Sequence, residues 1–239
     1  MTESLSNDAV FRDIELNYQQ IQQTISDAVS CSGRKADEVR FMAVTKTVPP
    51  HFINHALKQG IQLIGENKVQ ELLEKKEYLV GEYEAHLIGH LQTNKVKKII
   101  REVTMIQSVD SLRLAAEIAK QAKNAELVMD VLLEINIGRE ESKTGFLPDG
   151  FDEIACQIAE LDGLRVCGIM SVPPVCESEA EVRKWFSQVR QMYEDLKKQT
   201  LLKDMNVLSM GMSSDFREAI LEGSTLVRVG SLLFGRRRY

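Results

Sequence analysis

Missing from this sequence are a CxxC pair, a long unbroken apolar run and any excess of basic charge. The four cysteines, Cys31, Cys156, Cys167 and Cys176, lie far apart. That spacing suits free thiols in a reducing compartment and argues against a disulfide framework or a zinc site. No apolar stretch approaches the roughly 20 residues of a membrane span. The N-terminal MTESLSNDAVFRDIE is too polar and acidic for a signal peptide, so a cytoplasmic location is expected. A net charge of −5 has the wrong sign for a nucleic-acid footprint, and neither nucleic acid nor membrane is expected as a partner. The terminal RRRY reads as a solvated basic tail. His86 and His90 are four apart but lack the glutamate of HExxH, so no metal site is expected. No Pro/Gly/Ser-rich linker divides the 239 residues, which read as one domain over 1–239.

What is present is a rhythm. A helix pattern over 8–31 keeps Val10, Ile14, Ile21 and Ile25 on one side. After it come eight short apolar runs: RFMAVTKT (40–47), IQLIGEN (61–67), AHLIGHLQ (85–92), TMIQSVD (104–110), AELVMDVLLEINIG (125–138), LRVCGIMSV (164–172), NVLSMGMS (206–213) and TLVRVGSLLFG (225–235). Continuous apolar runs of this length suit strands buried on both faces, as in a parallel sheet. Amphipathic stretches fill the gaps. Asn67 is positioned to cap one, with Val69, Leu72 and Leu73; Asp110 another, with Leu112, Ala115, Ala116 and Ala119. Pro148 opens a third, and a fourth over about 178–199 offers Val182, Trp185, Phe186 and Val189 to a core. Eight strands with interleaved helices predict an α/β fold, a single (β/α)8 TIM-type barrel with an extra N-terminal helix. A doubly wound open sheet is the rival, but it calls for a glycine-rich turn after the first strand, where this chain has TKTVPP.

Barrel active sites are built at the C-terminal ends of strands. Those positions hold Lys46, Glu66-Asn67, His90 and Gln92, Asp110, Asn136, Ser171, Ser213-Ser214, and Arg228 with Gly230-Ser231. Polar residues are ordinary where a strand emerges into a loop. Lys46 is less ordinary, because in the run 40–47 it falls before the loop, where an ammonium is costly unless it snorkels or gives up its proton. A lysine at a barrel mouth points to a Schiff base, with a carbonyl substrate or with pyridoxal phosphate. Small residues at Ser213-Ser214 and Gly230-Ser231 let backbone N–H groups approach a phosphate, and the loops after strands seven and eight are the usual barrel site for one. Arg228 either pairs with a carboxylate or faces the nitrogen of a bound ring, where an arginine cannot surrender a proton.

These blocks resemble the pyridoxal phosphate homeostasis protein family, which is related to the barrel domain of alanine racemase. The resemblance is carried by AVTKTVPP around Lys46, IGENKVQE (64–71), HLIGHLQTNK (86–95), INIGREESKTGF (135–146), GIMSVPP (168–174), LSMGMSSDFREAI (208–220) and GSTLVRVGSLLFGRR (223–237). The last block reads GSLLFG where a threonine and an IFG ending are more usual; serine keeps the hydroxyl. The resemblance implies one covalently held pyridoxal 5'-phosphate, as an internal aldimine on Lys46, and a role in vitamin B6 homeostasis. It implies Ser213, Gly230 and Ser231 at the phosphate, Arg228 at the ring nitrogen and Asn67 along the cofactor's face. The expected partners are that cofactor and the enzymes that depend on it, served by a monomer.

The alternative is a minimal pyridoxal-phosphate-dependent amino-acid racemase. Racemisation needs a base on each face of the substrate, and in alanine racemase the second is a tyrosine from another domain. Here Tyr18, Tyr78, Tyr83, Tyr193 and Tyr239 all fall on predicted helices, loops or the tail, and no segment past the last strand is long enough to supply that domain. A binding and supply role is therefore expected, with no catalytic residue assigned. NKVKKIIRE (94–102) reads as a solvated helix face or a contact surface for a client protein. Cys156 and Cys167 read as core thiols.

Overall fold

The computed structural model describes residues 2–235, so the basic tail lies outside the described residues. Helix α1 (Thr2–Cys31) comes first. It is followed by β1 (Arg40–Val44), α2 (Pro50–Lys58), β2 (Leu63–Glu66), α3 (Val69–Lys76), β3 (Glu84–Leu87) and α4 (Val96–Ile99). The second half runs β4 (Met105–Val109), α5 (Leu112–Asn124), β5 (Met129–Ile135), α6 (Phe151–Ala159), β6 (Leu164–Ser171) and α7 (Glu179–Leu196). It ends with β7 (Val207–Ser209), α8 (Phe216–Leu221), β8 (Leu226–Val229) and the single turn α9 (Ser231–Phe234). All eight strands are parallel, each beside its sequence neighbour, and β8 returns to β1 with Met42 opposite Arg228. The sheet is therefore a closed barrel, and the open-sheet rival is excluded.

Every strand is buried on two faces, which is why the runs read as continuously apolar. The outward face packs on the helices in one large cluster that includes Ile64, Ile106, Leu133, Phe151 and Phe186. Met42, Leu63 and Leu226 meet inside the barrel. Helix α1 adds a layer of its own. Ile14, Ile21, Ile25 and Ala28 form a helical stripe that packs with Phe216, Ile220 and Leu233, against α8 and α9. Asn17 ties it down by donating to the Leu233 carbonyl at 3.0 Å.

The strands are shorter than the apolar runs, and several expected boundaries move. β1 stops at Val44, so Lys46 lies in the turn beyond it and not within the strand. Asn67 does not cap α3; the N-cap is Lys68, with no side-chain bond. α5 is capped by Ser111, whose hydroxyl accepts from Leu114 N–H, and not by Asp110. Its buried stripe is Leu114, Ala115, Ile118, Ala119 and Ala122, leaving Leu112 and Ala116 exposed. Serine accepts from N3 in the geometry that caps helices best, so the residue after the carboxylate takes the position. In α7 Trp185 is only half-buried, while Tyr193 and Leu196 join the core.

Candidate cofactor site

Side-chain alternation decides what faces the mouth of the barrel. Met42 points inward, so Val44 follows on the same face, while Ala43 and Thr45 face the helices, and Lys46 comes directly after them at the mouth. The ladder reaches one residue past the strand, since Thr45 N–H donates to the Gly65 carbonyl at 3.0 Å. The chain then reverses. Val48 N–H bonds back to the Thr45 carbonyl at 2.9 Å, making Lys46 and Thr47 the central pair of a β-turn. Thr47 sits at φ 63°, a left-handed conformation rare for a β-branched residue. Lys46 is half-buried, and its ammonium bonds to no other described side chain.

Across the closure of the barrel lies Arg228, buried at 4% exposure on β8. Its Nη1 donates to Ser209 Oγ at 2.6 Å and its Nη2 to the Ser171 carbonyl at 3.0 Å. Burial pulls its pKa down to about 10, and the nearby Asp215 and Glu134 carboxylates oppose the fall. Arg228 thus remains a cation at neutral pH, and it is held mainly by neutral acceptors. Behind it runs a buried polar chain through the barrel interior. Ser209 Oγ donates to Gln107 Oε1 at 2.8 Å, and the Gln107 amide nitrogen lies 2.9 Å from His86 Nδ1. A guanidinium can only donate, so Ser209 accepts from Arg228; with Gln107 Oε1 accepting from Ser209, the Gln107 amide nitrogen is the donor toward His86.

The segments after β7 and β8 come together beside β1. Ser213 Oγ accepts from Gly230 N–H at 3.2 Å and from Leu232 N–H at 3.3 Å. A side chain at position 230 would place its Cβ 3.1 Å from the Val44 carbonyl oxygen, a tight contact that glycine avoids as this turn lies against the strand that leads to Lys46. With two donors already on its oxygen, the Ser213 hydroxyl is left to donate outward. Among the described residues the amides of Ser213, Ser214 and Ser231 have no acceptor in the protein. Asp215 occupies the N-cap position of α8, but its carboxylate makes no capping bond and accepts from Met212 N–H at 2.6 Å.

Asn67 is half-buried and follows Gly65 on the inward face. Its backbone is pressed against the end of β3, where a Cβ at Gly89 would meet Asn67 O at 2.3 Å. His90, at the same end, pairs with Asp110 at 2.9 Å. Burial raises the carboxyl of Glu134 on β5, against the pull of the Thr144 hydroxyl. The structure thus brings Lys46, Arg228, Ser213, Gly230 and Ser231 to the adjoining ends of β1, β7 and β8, with Asn67 at the end of β2. An amine, a buried cation and a cradle of outward N–H and O–H donors suit a phosphate-bearing aldehyde.

Three groupings behind this mouth were not read from the sequence: the Ser209–Gln107–His86 chain, the left-handed Thr47, and the clustering of Glu66, itself a strand-end candidate, with Glu71 and Lys75 behind the Lys46 turn. Gln107 carried a signal, a polar residue in the middle of an apolar run. The others became visible only with the tertiary fold.

The family model described as "Alanine racemase, N-terminal domain" matches residues 14–238. A relative named pyridoxal phosphate homeostasis protein, from Aquifex aeolicus (strain VF5), is 41% identical over 224 residues, spanning 92% of this chain and 96% of its own. Among solved structures, PipY of Synechococcus elongatus PCC7942 with PLP bound superposes at a TM-score of 0.78 with 31% identity, covering 88% of this chain and 100% of that one. An alanine racemase from Clostridium difficile 630 shares the fold, at a TM-score of 0.72 and 14% identity; the match covers 95% of this chain and 57% of the racemase.

Proposed function

This chain belongs to the family of the pyridoxal phosphate homeostasis proteins, built on the alanine racemase N-terminal domain, and from that premise we propose that it binds pyridoxal 5'-phosphate covalently through Lys46 and supplies it to other proteins. The observation that carries this reading is the convergence of Lys46, whose ammonium bonds to no other described side chain, with the free donors of Ser213, Ser214 and Ser231 that gather beside Gly230. The cofactor supplies an aldehyde that an amine can hold reversibly. The chain's own residues do the rest. Lys46 Nζ is the attachment point. The Ser213 hydroxyl and the free amides of Ser213, Ser214 and Ser231 hold the phosphate. Arg228 would serve the ring nitrogen as a fixed donor, and Asn67 would line the ring's face.

In this reading the protein is a monomeric, single-domain barrel of the cytoplasm whose partners are enzymes that need the cofactor. The net charge of −5 supports no nucleic-acid role, and among the described residues no helix is long and apolar enough to cross a membrane. Loaded protein treated with borohydride should gain one pyridoxyl phosphate, on Lys46, and Lys46→Ala should gain none. Mixed with an apo-enzyme, loaded protein should restore that enzyme's activity. A sample that gains no mass at Lys46, or never passes the cofactor on, refutes the proposal.

One observation keeps a catalytic reading in view. A racemase needs a second base, and the His90–Asp110 pair is the arrangement at the mouth that could provide one. Exchange of the α-hydrogen of added L-alanine in deuterium oxide, with conversion to D-alanine that is lost in His90→Gln, would favour that reading. No exchange in the unsubstituted protein removes it.

A further inference from the structure

Lys46 is flanked by two backbone groups that a single buried charge cluster grips from outside the barrel. Glu66 ends β2, while Glu71 and Lys75 lie one turn apart on α3. Lys75 Nζ donates to Glu66 Oε1 at 2.7 Å, to Glu71 Oε1 at 2.6 Å and to the Thr45 carbonyl at 2.7 Å. The Thr45 hydroxyl donates to the same Glu66 oxygen at 2.7 Å. On the other side of the lysine, Glu71 Oε1 accepts from Thr47 N–H at 2.5 Å. The residue before Lys46 and the residue after it are thus tied to the same three side chains.

Ordinary helix–sheet packing does not call for this. Burying charges is costly, and an apolar filling of the same volume often does as well or better. Here one oxygen of Glu66, Oε2, has no partner at all among the described residues, although the residue is 1% exposed. What the cluster holds is unfavourable in itself: a turn whose second central residue is threonine at φ 63°. Such a conformation persists only where surrounding contacts over-determine it, and such strain gathers at functional sites. The two contacts that over-determine it are the grips on Thr45 O and Thr47 N–H.

Resting on the reading of Lys46 as the attachment point, we propose that Glu66, Glu71 and Lys75 are positioning residues, which hold the Lys46 turn in its strained form and thereby set how tightly the cofactor is kept. None of the three faces the mouth. They act through the backbone on each side of the lysine, so loosening them frees the turn to relax and lets Lys46 swing away from the phosphate cradle.

The test compares two substitutions at Glu71. Glu71→Gln keeps an oxygen that can accept from both Thr47 N–H and Lys75, whereas Glu71→Leu keeps none. In cofactor-free protein, the Thr47 amide should exchange with solvent at about the unsubstituted rate in Glu71→Gln and at least tenfold faster in Glu71→Leu, the scale of one lost hydrogen bond. Release of pyridoxal phosphate from loaded protein should follow the same order, again by about tenfold. A Glu66→Gln/Lys75→Met double substitution removes two charges together, so that neither remains buried alone, and should also speed release; if it does not fold, the Glu71 pair carries the comparison. Equal release and equal Thr47 exchange in all the folded variants overturns the proposal while the unsubstituted protein still gains mass at Lys46. If the unsubstituted protein gains no mass there, it is the function reading that has failed, and the exchange measurement still reports on whether the cluster holds the turn.

Discussion

His86 makes the barrel acid-sensitive by an amount that can be worked out. It is 1% exposed, and burial, reinforced by the Arg40 charge, pulls its pKa from 6.5 down to about 3. The hydrogen-bond chain agrees. Ser209 accepts from Arg228 and donates to Gln107 Oε1; with the Gln107 amide so turned, its nitrogen faces His86 Nδ1 and can only donate, so that ring nitrogen has to be unprotonated to accept. Because the folded pKa is depressed, His86 contributes stability that is fully present above its unfolded value and is lost as pH falls through the window from 6.5 toward 3. At pH 5.0 the unfolded chain carries about 1.5 pK units of protonation free energy on this residue that the fold does not, which is about 2 kcal/mol.

Acidic residues also change protonation in this range, so the effect must be read as a difference. Urea unfolding of cofactor-free protein at pH 7.5 and pH 5.0 gives the acid loss for the unsubstituted chain and for His86→Gln, whose amide oxygen can still accept from Gln107. The unsubstituted protein should lose about 2 kcal/mol more than the variant between the two conditions. His51, His55 and His90 are common to both and cancel. Equal losses, within the roughly 10–15% uncertainty of the extrapolation, would mean that His86 is protonated inside the barrel, and the bond direction assigned to Gln107 would be wrong.

Three further outcomes test other parts of the site and its frame. Ser213→Ala removes the acceptor for two amides and one outward hydroxyl, so it should weaken pyridoxal phosphate at least about tenfold while leaving attachment of phosphate-free pyridoxal unchanged; equal losses for both ligands count against a phosphate cradle. Gly89→Ala drives a methyl to within 2.3 Å of Asn67 O, and the forced shift should lower stability by about 1–3 kcal/mol in urea unfolding and displace Asn67 in the ¹⁵N spectrum. Burial pushes the Cys167 thiol up to about 11, so at pH 8 a disulfide reagent should modify the exposed Cys31 promptly and reach Cys167 only after urea is added.

The barrel was legible because its strands, buried on both faces, need nothing but apolar residues, and the interleaved helices carry their own stripe. The ends of the elements were not. A run such as RFMAVTKT gives no sign that the ladder stops after Val44, since Thr45 still donates to Gly65 as though in the strand. Reading Lys46 as a strand residue extended the strand too far: it is the first central residue of the turn that follows. Nor does any composition rule mark Thr47 as left-handed, because the residues that normally mark such a position are glycine and asparagine. Ser213 and Gly230 could be found from small residues at strand ends. Glu66, Glu71 and Lys75 could not, since only the packing of α3 on the outside of β1 and β2 brings them together; the four-residue spacing of Glu71 and Lys75 alone describes many solvated helix faces.

The two hidden groups share a logic. Inside the barrel, Arg228 is backed by Ser209, Gln107 and His86; outside it, the Lys46 turn is backed by Lys75, Glu66 and Glu71. Each set buries polar or charged atoms where apolar residues would pack with less desolvation cost, and each terminates on one of the groups proposed to hold the cofactor. Neither set reaches the mouth itself. Polar burial runs on to the ends of β5 and β6, where Asn136 and Ser171 are buried and the Ser171 carbonyl accepts from Arg228 Nη2, while the outward surfaces there are filled by Leu133, Ile169, Phe146 and Phe151. If Lys46 and Arg228 hold the cofactor as proposed, backing them separately, from opposite sides of one wall, would set the distance between attachment point and ring partner before any ligand arrives, and with it how tightly the cofactor is gripped.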